Sequence, residues 1–198
     1  MATMHYLFFC LFLVALLCIG RTGHRAIKNT IQRLDEPDVL SSVGGSSTEP
    51  AAMLGLRDSI LFIAAGELGV REATGKNDGA RIAEYLAYTG LSEGHAWCAA
   101  FVSWCYGRVG LPVPRSPWSP ALFPVARRYK AEQMGQTDVR PADLFGIYNS
   151  RLHRIDHVGL VWGKQGSWLL TIEGNVSDRV LSKRRPWVTI QAFSNWLD

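Results

Sequence analysis

The chain has 198 residues, of which 47% are hydrophobic and 19% are charged. This length allows one ordinary domain with appendages, and this composition excludes an intrinsically disordered chain. The formal net charge of +4 is compatible with an anionic polymer, a membrane surface or nucleic acid, and does not choose among them. Part of that charge lies in the Lys183-Arg184-Arg185 run, which we interpret as a solvated strand end.

An unbroken apolar run from Leu7 to Ile19 opens the chain. It matches the hydrophobic region of a secretory signal and is short for a membrane-spanning helix. Its nearest basic residues, Arg21 and Arg25, follow the run rather than precede it. If the segment is not cleaved, basic residues at this end favour a cytoplasmic location for the chain that follows the run. We expect residues 1–20 to be a signal peptide or a membrane anchor, and the protein to be exported to the periplasm or secreted.

Proline, glycine and serine crowd the segment from Asp35 to Pro50, which has few large apolar residues. This composition is typical of a linker. We therefore divide the chain into the N-terminal segment 1–20, a flexible linker over 21–52 and a folded domain over 53–198.

The first half of the domain is predicted to be helical. Apolar residues line one side of Leu56–Leu68, which is typical of a helix that faces a core. A second helix is expected after Asn77 or Asp78, either of which suits the N-cap position. A third helix is expected to begin at Cys98, because small and apolar residues follow it at helical spacing.

Four prolines fall within the segment Leu111–Pro120. Proline lacks a backbone donor and restricts the residue before it, so neither a helix nor a strand is expected there. We interpret this segment as an extended wall or lid, followed by a short helix from Ser119 to Lys130.

The second half of the domain is predicted to consist of strands, with the turn between the second and third strands at Gly163–Ser167. Helices followed by an antiparallel meander indicate an α+β fold. The predicted strands are Asp143–Tyr148, His157–Trp162 and Trp168–Glu173, with weaker candidates at Val180–Arg184 and Val188–Ala192.

The domain contains two cysteines, Cys98 and Cys105, both on the third predicted helix. Two helical turns separate them by about 10 Å, which exceeds the reach of a disulfide, so both are expected to be reduced. Neither belongs to a C-x-x-C pair, which argues against a metal site. The other two, Cys10 and Cys18, lie in the N-terminal apolar segment.

Cys98 is the stronger candidate for a nucleophile. At the first turn of a helix its thiol faces backbone N–H groups and the positive end of the helix dipole, which both favour the thiolate. The alternative, a small buried hydrophobic residue, is the interpretation that we give to Cys105.

A nucleophilic thiol requires a base, and His157 is the best candidate in the domain. His95 precedes Cys98 too closely to swing onto it, and His153 lies in a polar loop and is expected to be solvated. His157 begins a strand, and Gly159 on the same face is expected to leave room for the helix that carries the thiol.

A third group is expected to orient the imidazole. If the hairpin is centred on Gln165, His157 lies directly opposite Glu173, which makes Glu173 the predicted orienting carboxylate. Asp143 and Asp156 are rivals for that role, although alternation is expected to turn Asp156 to the other side of its strand.

Three further residues are candidates for the site. Asn175 is expected either to orient the histidine or to donate to an oxyanion. Trp97 and Trp118 are candidate substrate contacts that line a groove beside the proline-rich wall, and packing is an equally good interpretation of both.

Three ordered motifs resemble the CHAP family, the cysteine, histidine-dependent amidohydrolases/peptidases. They are Trp-Cys-Ala-Ala-Phe-Val (97–102), Asp-His-Val-Gly (156–159) and Glu-Gly-Asn (173–175). The stretches 114–120 and 143–146 also resemble a bacterial or prophage-type branch of this family. The resemblance extends from Leu56 to Trp196, which is most of the chain outside the N-terminal segment and linker.

The resemblance implies a papain-like (NlpC/CHAP-type) fold, with N-terminal helices packed on an antiparallel sheet. Family members cleave peptidoglycan, either between muramic acid and L-alanine or within the stem or bridge peptide. By this resemblance Cys98 is the nucleophile, His157 the general base and Glu173 the orienting residue, with Asn175 as an auxiliary. Some relatives carry a calcium-binding acidic loop that Asn77-Asp78-Gly79 alone does not reproduce, so no metal or other cofactor is expected.

The expected reaction is acyl transfer through a Cys98 thioester. The expected partner is a peptidoglycan substrate, and the protein is expected to be a monomer that binds no nucleic acid and meets a membrane only through residues 1–20. Two alternatives stay open: a catalytically idle wall-binding module, and a membrane-anchored assembly module.

Overall fold

The computed structural model describes residues 48–129 and 139–198. The N-terminal segment 1–20 and residues 21–47 of the predicted linker lie outside this description, so the division of the chain into these segments stays a prediction. Within the described residues, no helix is both long enough and apolar enough to cross a membrane.

The first half of the described domain is helical, as predicted. The first helix begins inside the predicted linker, at Thr48, and ends before the predicted Leu68. The third begins at Cys98, as predicted, and is buried from there through Tyr106. The α-helices of the described residues are α1 (Thr48–Gly66), α2 (Ala80–Tyr88) and α3 (Cys98–Arg108).

The N-terminus of α2 differs from the prediction. Its N-cap is Gly79 rather than Asn77 or Asp78. The Asp78 carboxylate instead accepts hydrogen bonds from the backbone N–H and the hydroxyl of Thr74, at 2.9 and 2.6 Å. These bonds close the preceding turn, so the Asp78 side chain does not cap the helix.

The proline-rich segment leads into a 3₁₀-helix, Ser119–Leu122. The predicted α-helix from Ser119 to Lys130 does not form over its described part. Pro124 accounts for the early end, because its ring removes a backbone donor and disfavours helical geometry at the residue before it. Ser119 is buried in this short element.

The second half of the described domain is a five-stranded antiparallel sheet in the order β4-β3-β2-β1-β5. Helices packed on this sheet confirm the predicted α+β fold. The last predicted strand, Val188–Ala192, is instead a 3₁₀-helix, Trp187–Thr189, followed by β5. The strands are β1 (Leu144–Asn149), β2 (Arg154–Gln165), β3 (Trp168–Val176), β4 (Arg179–Pro186) and β5 (Ala192–Ser194).

The hairpin of β2 and β3 has a different register from the one predicted. Leu160 pairs with Ile172, and this register, continued along the strands, places Gly159 rather than His157 opposite Glu173. A turn shorter than predicted joins the two strands and displaces the register, and an irregularity between Val161 and Gly163 shifts the register again by one residue. Because the displacement is an even number of residues, His157 and Glu173 stay on one face as diagonal neighbours.

Two glycines, Gly174 and Gly159, allow close packing around Trp97 and Glu173. A Cβ at Gly174 would lie 2.7 Å from the Trp97 ring, so Gly174 is where the start of α3 approaches the sheet. A Cβ at Gly159 would lie 2.7 Å from Phe145 and 2.8 Å from Glu173. The prediction that Gly159 leaves room for the helix is therefore wrong, because two side chains occupy that space.

Candidate active site

Cys98 is the first residue of α3, and no side chain among the described residues caps this end of the helix. The helix begins its hydrogen bonding with the Phe101 N–H, which donates to the Trp97 carbonyl at 2.8 Å. The N–H groups before Phe101 therefore have no acceptor within the helix, and the thiol lies at the positive end of the helix dipole. Cys98 is 5% exposed.

Two oxygen atoms from separate segments lie beside the Cys98 sulfur. The Ser119 hydroxyl oxygen is 3.5 Å from Sγ, and the Asp156 carbonyl oxygen is 3.9 Å from it. The Ser119 hydroxyl also donates to that carbonyl at 3.4 Å. Ser119 was not among the predicted site residues, since its place at the end of the proline-rich segment carries no information about its distance from Cys98.

His157 lies near the start of β2, and its side chain is 18% exposed. Its Nε2 atom is 2.7 Å from Glu173 Oε2. We assign the proton of this contact to Nε2, because a carboxylate accepts. The other ring nitrogen, Nδ1, is therefore the one available to the thiol, and the Phe145 ring packs edge-on to the imidazole at a centroid distance of 6.4 Å.

The Glu173 carboxylate is fully buried and accepts four hydrogen bonds. Besides the contact with His157, Oε2 accepts from Arg185 Nη2 at 2.5 Å. Oε1 accepts from Arg185 Nε at 2.9 Å and from the Thr171 hydroxyl at 2.5 Å. The interpretation of the basic run as a solvated strand end is therefore wrong for Arg185, because alternation along β4 turns its side chain inward and leaves Arg184 exposed.

The electrostatic environment favours a charged thiol and a charged imidazole. Burial by itself raises the pKa of the Cys98 thiol, but the hydrogen bond and the positive charge of His157 outweigh burial, and the pKa is lowered. Burial lowers the pKa of His157, whereas its contacts with Cys98 and Glu173 raise that pKa to about 9. Burial raises the pKa of Glu173, but the hydrogen bonds from Arg185 and His157 lower it to about 2. At neutral pH this arrangement favours a thiolate beside an imidazolium.

The two rival carboxylates are engaged elsewhere. Asp143 is buried in an ion pair with Arg57 at 2.8 Å and accepts a hydrogen bond from the Tyr129 hydroxyl. The Asp156 carboxylate accepts from the Asn149 amide at 2.6 Å. Of the three predicted carboxylates in the described chain, Glu173 is the one that contacts the histidine.

The other two histidines of the domain are exposed. His95 Nδ1 contacts the Ser92 carbonyl within its own loop, at 3.2 Å. His153 lies in the turn before β2, with a left-handed φ of 51°. Neither has a contact with Cys98 in the described residues, which leaves His157 as the candidate base.

The two candidate tryptophans have different surroundings. Trp97 is 0% exposed, and its indole N–H donates to Glu72 at 2.8 Å. A fully buried side chain does not line a groove, so we assign Trp97 to the core and correct its prediction as a substrate contact. Trp118 is 56% exposed and directly precedes Ser119, so it stays a candidate substrate contact.

Asn175 is partly buried near the end of β3 and has a left-handed φ of 59°. Its side chain forms no hydrogen bond with His157 or Glu173 in the described chain. Its predicted auxiliary role therefore stays a proposal.

The Asn77-Asp78-Gly79 stretch is held by local hydrogen bonds. The Asn77 N–H donates to the Glu72 carboxylate at 2.7 Å, and Asp78 bonds to Thr74 as described above. Over residues 48–129 and 139–198, no three His, Cys, Asp or Glu side chains are grouped in a way that could hold a metal ion.

Known structures provide the comparison for this arrangement. No protein-family model matches the sequence, and no curated protein matches it. The P60 domain of the M. avium paratuberculosis antigen MAP1272c is similar to the chain at 14% identity with a TM-score of 0.50, over 76% of this chain and 100% of that one. The peptidoglycan hydrolase RipB from Mycobacterium tuberculosis has 15% identity and a TM-score of 0.49, over 80% of this chain and 75% of its own.

The likeness to the P60 domain shows the fold. The chain has the papain-like fold of NlpC/P60 domains, as the sequence predicted. At this identity the likeness does not separate the CHAP family from other families with that fold.

Proposed function

We propose that the protein is a cysteine-dependent amidase or peptidase that hydrolyses an amide bond of peptidoglycan. The observation that carries the proposal is the arrangement of Cys98, His157 and Glu173. A thiol with a lowered pKa lies at a helix N-terminus, and a histidine held by a buried carboxylate faces it. These are the parts that nucleophilic catalysis by cysteine requires.

In the first step the Cys98 thiolate attacks the carbonyl carbon of the amide. The electron pair of the carbonyl moves to its oxygen, and first-turn N–H groups of α3 are suited to stabilise this oxyanion. When the tetrahedral intermediate collapses, the carbon–nitrogen bond breaks and the His157 imidazolium protonates the leaving amine. The products of this step are a free amine and a Cys98 thioester.

In the second step water hydrolyses the thioester. The neutral His157 accepts a proton from the water as the hydroxyl attacks the thioester carbonyl, and the carbon–sulfur bond then breaks. The carboxylic acid product leaves and gives its proton to the solvent, and the thiolate and imidazolium are restored. Glu173 accepts a hydrogen bond from His157 throughout and keeps Nδ1 directed at the reacting atoms.

The substrate class rests on the resemblance of the three motifs to the CHAP family. Members of that family cleave peptidoglycan, and the half-exposed Trp118 ring, one residue before Ser119, offers an aromatic surface for part of such a polymer. Peptidoglycan lies outside the cytoplasm, so the proposal requires export, which residues 1–20 are proposed to direct.

The test is to incubate the full chain with intact purified peptidoglycan and to identify soluble products by mass spectrometry. Cys98→Ser is the inactive variant, and Cys105→Ser is the matched control, because it changes the other thiol of the same helix. Complete stem peptides freed from glycan indicate an amidase, and shortened stems or divided cross-links indicate an endopeptidase. Equal products from folded wild-type protein and Cys98→Ser rule out the cysteine-dependent mechanism. No product from either protein across several wall chemistries rules out the hydrolase in favour of a binding or assembly module.

A further inference from the structure

Arg185 makes the most extensive contact with the carboxylate that holds the histidine. Its guanidinium meets both oxygens of Glu173 in a forked pair, at 2.9 Å from Nε to Oε1 and 2.5 Å from Nη2 to Oε2. A planar fork of this kind fixes a carboxylate in position as well as in charge. The Thr171 hydroxyl occupies the remaining acceptor direction of Oε1.

The Glu173–Arg185 pair also balances the charges of the site. With the thiol ionised, the groups from α3, β2, β3 and β4 alternate in sign: Cys98 negative, His157 positive, Glu173 negative and Arg185 positive. The sum is zero. Without Arg185 the same groups would carry one uncompensated negative charge, and two of them, Cys98 and Glu173, are almost fully buried.

No other charged group of the described residues forms a contact with this row. From β3 itself Thr171 is uncharged, and the Lys183 side chain on β4 has no contact with Glu173, although its carbonyl accepts from Thr171. The segment of α3 that faces β3 is apolar, with Trp97 and Phe101 against Gly174. The charge balance of the row therefore depends on Arg185.

We propose that Arg185 is a positioning residue of the active site, which orients Glu173 and by its charge keeps the thiolate–imidazolium pair populated at neutral pH. This inference rests on the proposed function for the reaction that it serves. Its electrostatic part concerns the ionisation of Cys98, which is measured without any substrate.

The sign of the effect follows from the charge sum. When a neutral side chain replaces Arg185, the site carries a net charge of minus one, and protonation of the thiolate removes it. The pKa of Cys98 is then expected to rise by about one unit. At pH 7 this change reduces the thiolate fraction, and kcat/KM is expected to fall by up to about tenfold with little change in KM.

The experiment measures the rate of Cys98 alkylation by iodoacetamide against pH, together with kcat/KM against pH. The background is the full chain with Cys10→Ser, Cys18→Ser and Cys105→Ser, so that Cys98 is the one thiol left. Arg185→Met is compared with Arg184→Met, which removes the same charge from an exposed neighbouring position whose guanidinium stacks on Trp168. Arg185→Lys keeps the charge and loses the fork. The expected order of alkylation midpoints is wild type and Arg184→Met lowest, Arg185→Lys slightly higher and Arg185→Met highest.

Equal midpoints in folded Arg185→Met and Arg184→Met overturn the inference. If Arg185→Met does not fold, Arg185→Lys is the deciding variant. A raised alkylation midpoint, or a lower kcat with unchanged KM, supports the inference. A wild-type midpoint together with a wild-type kcat overturns it. A midpoint shift in a protein that hydrolyses no peptidoglycan supports the electrostatic role of Arg185 and removes the proposed function, so the two failures are distinguishable.

Discussion

Cys98 and Cys105 lie on one helix as buried free thiols, yet their surroundings shift their pKa values in opposite directions. Burial raises the pKa of Cys105 well above its usual range, and the negative charge of Glu67 raises it further. Burial opposes ionisation of Cys98 as well, but His157 outweighs it. Burial alone therefore does not decide which cysteine is reactive.

The two regions differ in how their charges are matched. Near Cys105, Glu67 accepts a hydrogen bond from the Tyr85 hydroxyl at 2.5 Å and forms an ion pair with Arg81, so that carboxylate already has a cation. Near Cys98 the charged group that contacts the thiol is a histidine, and the carboxylate that holds this histidine is paired with Arg185. The thiol at the helix N-terminus thus meets a positive charge, and the thiol two turns later meets a negative one.

The largest expected effect separates the two thiols directly. Cys98→Ala is expected to lower kcat/KM by about 10⁴-fold or more, because the nucleophile is lost. Cys105→Ala is expected to keep activity within about threefold and to lose stability, because it removes only buried packing. Hydrolysis of peptidoglycan and iodoacetamide labelling at pH 7 measure both. Rapid labelling of Cys105 in the folded protein contradicts the comparison.

A smaller effect is expected when the carboxylate behind the histidine loses its charge. Glu173→Gln is expected to lower kcat/KM by about 10²- to 10⁴-fold. The negative charge stabilises the imidazolium, so its removal lowers the pKa of His157 from about 9 towards its ordinary value of 6.5. The alkaline limb of kcat/KM, where the imidazolium deprotonates, is therefore expected to move to lower pH.

The pH profile of Glu84→Gln is the matched control for that change. Glu84 is exposed and pairs with Arg81 outside the site, so its profile is expected to match the wild type. An alkaline limb that stays at the wild-type pH in Glu173→Gln shows that Glu173 does not set the ionisation of His157.

Packing at Gly174 is expected to matter next. Gly174→Ala places a Cβ 2.7 Å from the Trp97 ring, which pushes the start of α3 away from the sheet. Overpacking of this kind is expected to lower the free energy of unfolding by about 1–3 kcal/mol and to slow Cys98 alkylation. Urea unfolding measures the first effect. Gly163→Ala is the control, because no atom lies within 4 Å of its added Cβ, and equal stability of the two variants contradicts the prediction.

The smallest effect is expected at Ser119. Its hydroxyl lies 3.5 Å from the Cys98 sulfur, where it can donate to the thiolate. Ser119→Ala is therefore expected to raise the pKa of Cys98 and to lower kcat/KM by up to about tenfold at pH 7, as for the loss of one hydrogen bond to a charged group. The pH dependence of alkylation measures the shift, with exposed Ser182→Ala as the control. An unchanged profile assigns Ser119 to packing alone.

Local pattern was sufficient to predict the positions of three residues of the candidate site. Helical spacing after Cys98 placed the thiol at a helix start, and the two-residue period of a strand placed His157 and Glu173 on a common face. The predicted hairpin register was wrong, but its displacement at His157 is an even number of residues, so the two side chains still share one face. The order of helices and strands predicted the α+β fold for the same reason, since each periodicity is a property of a short segment.

Contacts between distant segments were decided only by the tertiary structure. The sequence by itself determined a thiol at a helix N-terminus and the side of its own strand on which His157 and Glu173 each lie, because local backbone geometry determines both. It did not determine that Arg185 turns towards Glu173, that Ser119 reaches Cys98 or that Trp97 is buried. Each of these depends on distances between elements far apart in the chain, which are determined by packing of the whole core and leave no periodic signal in any one segment.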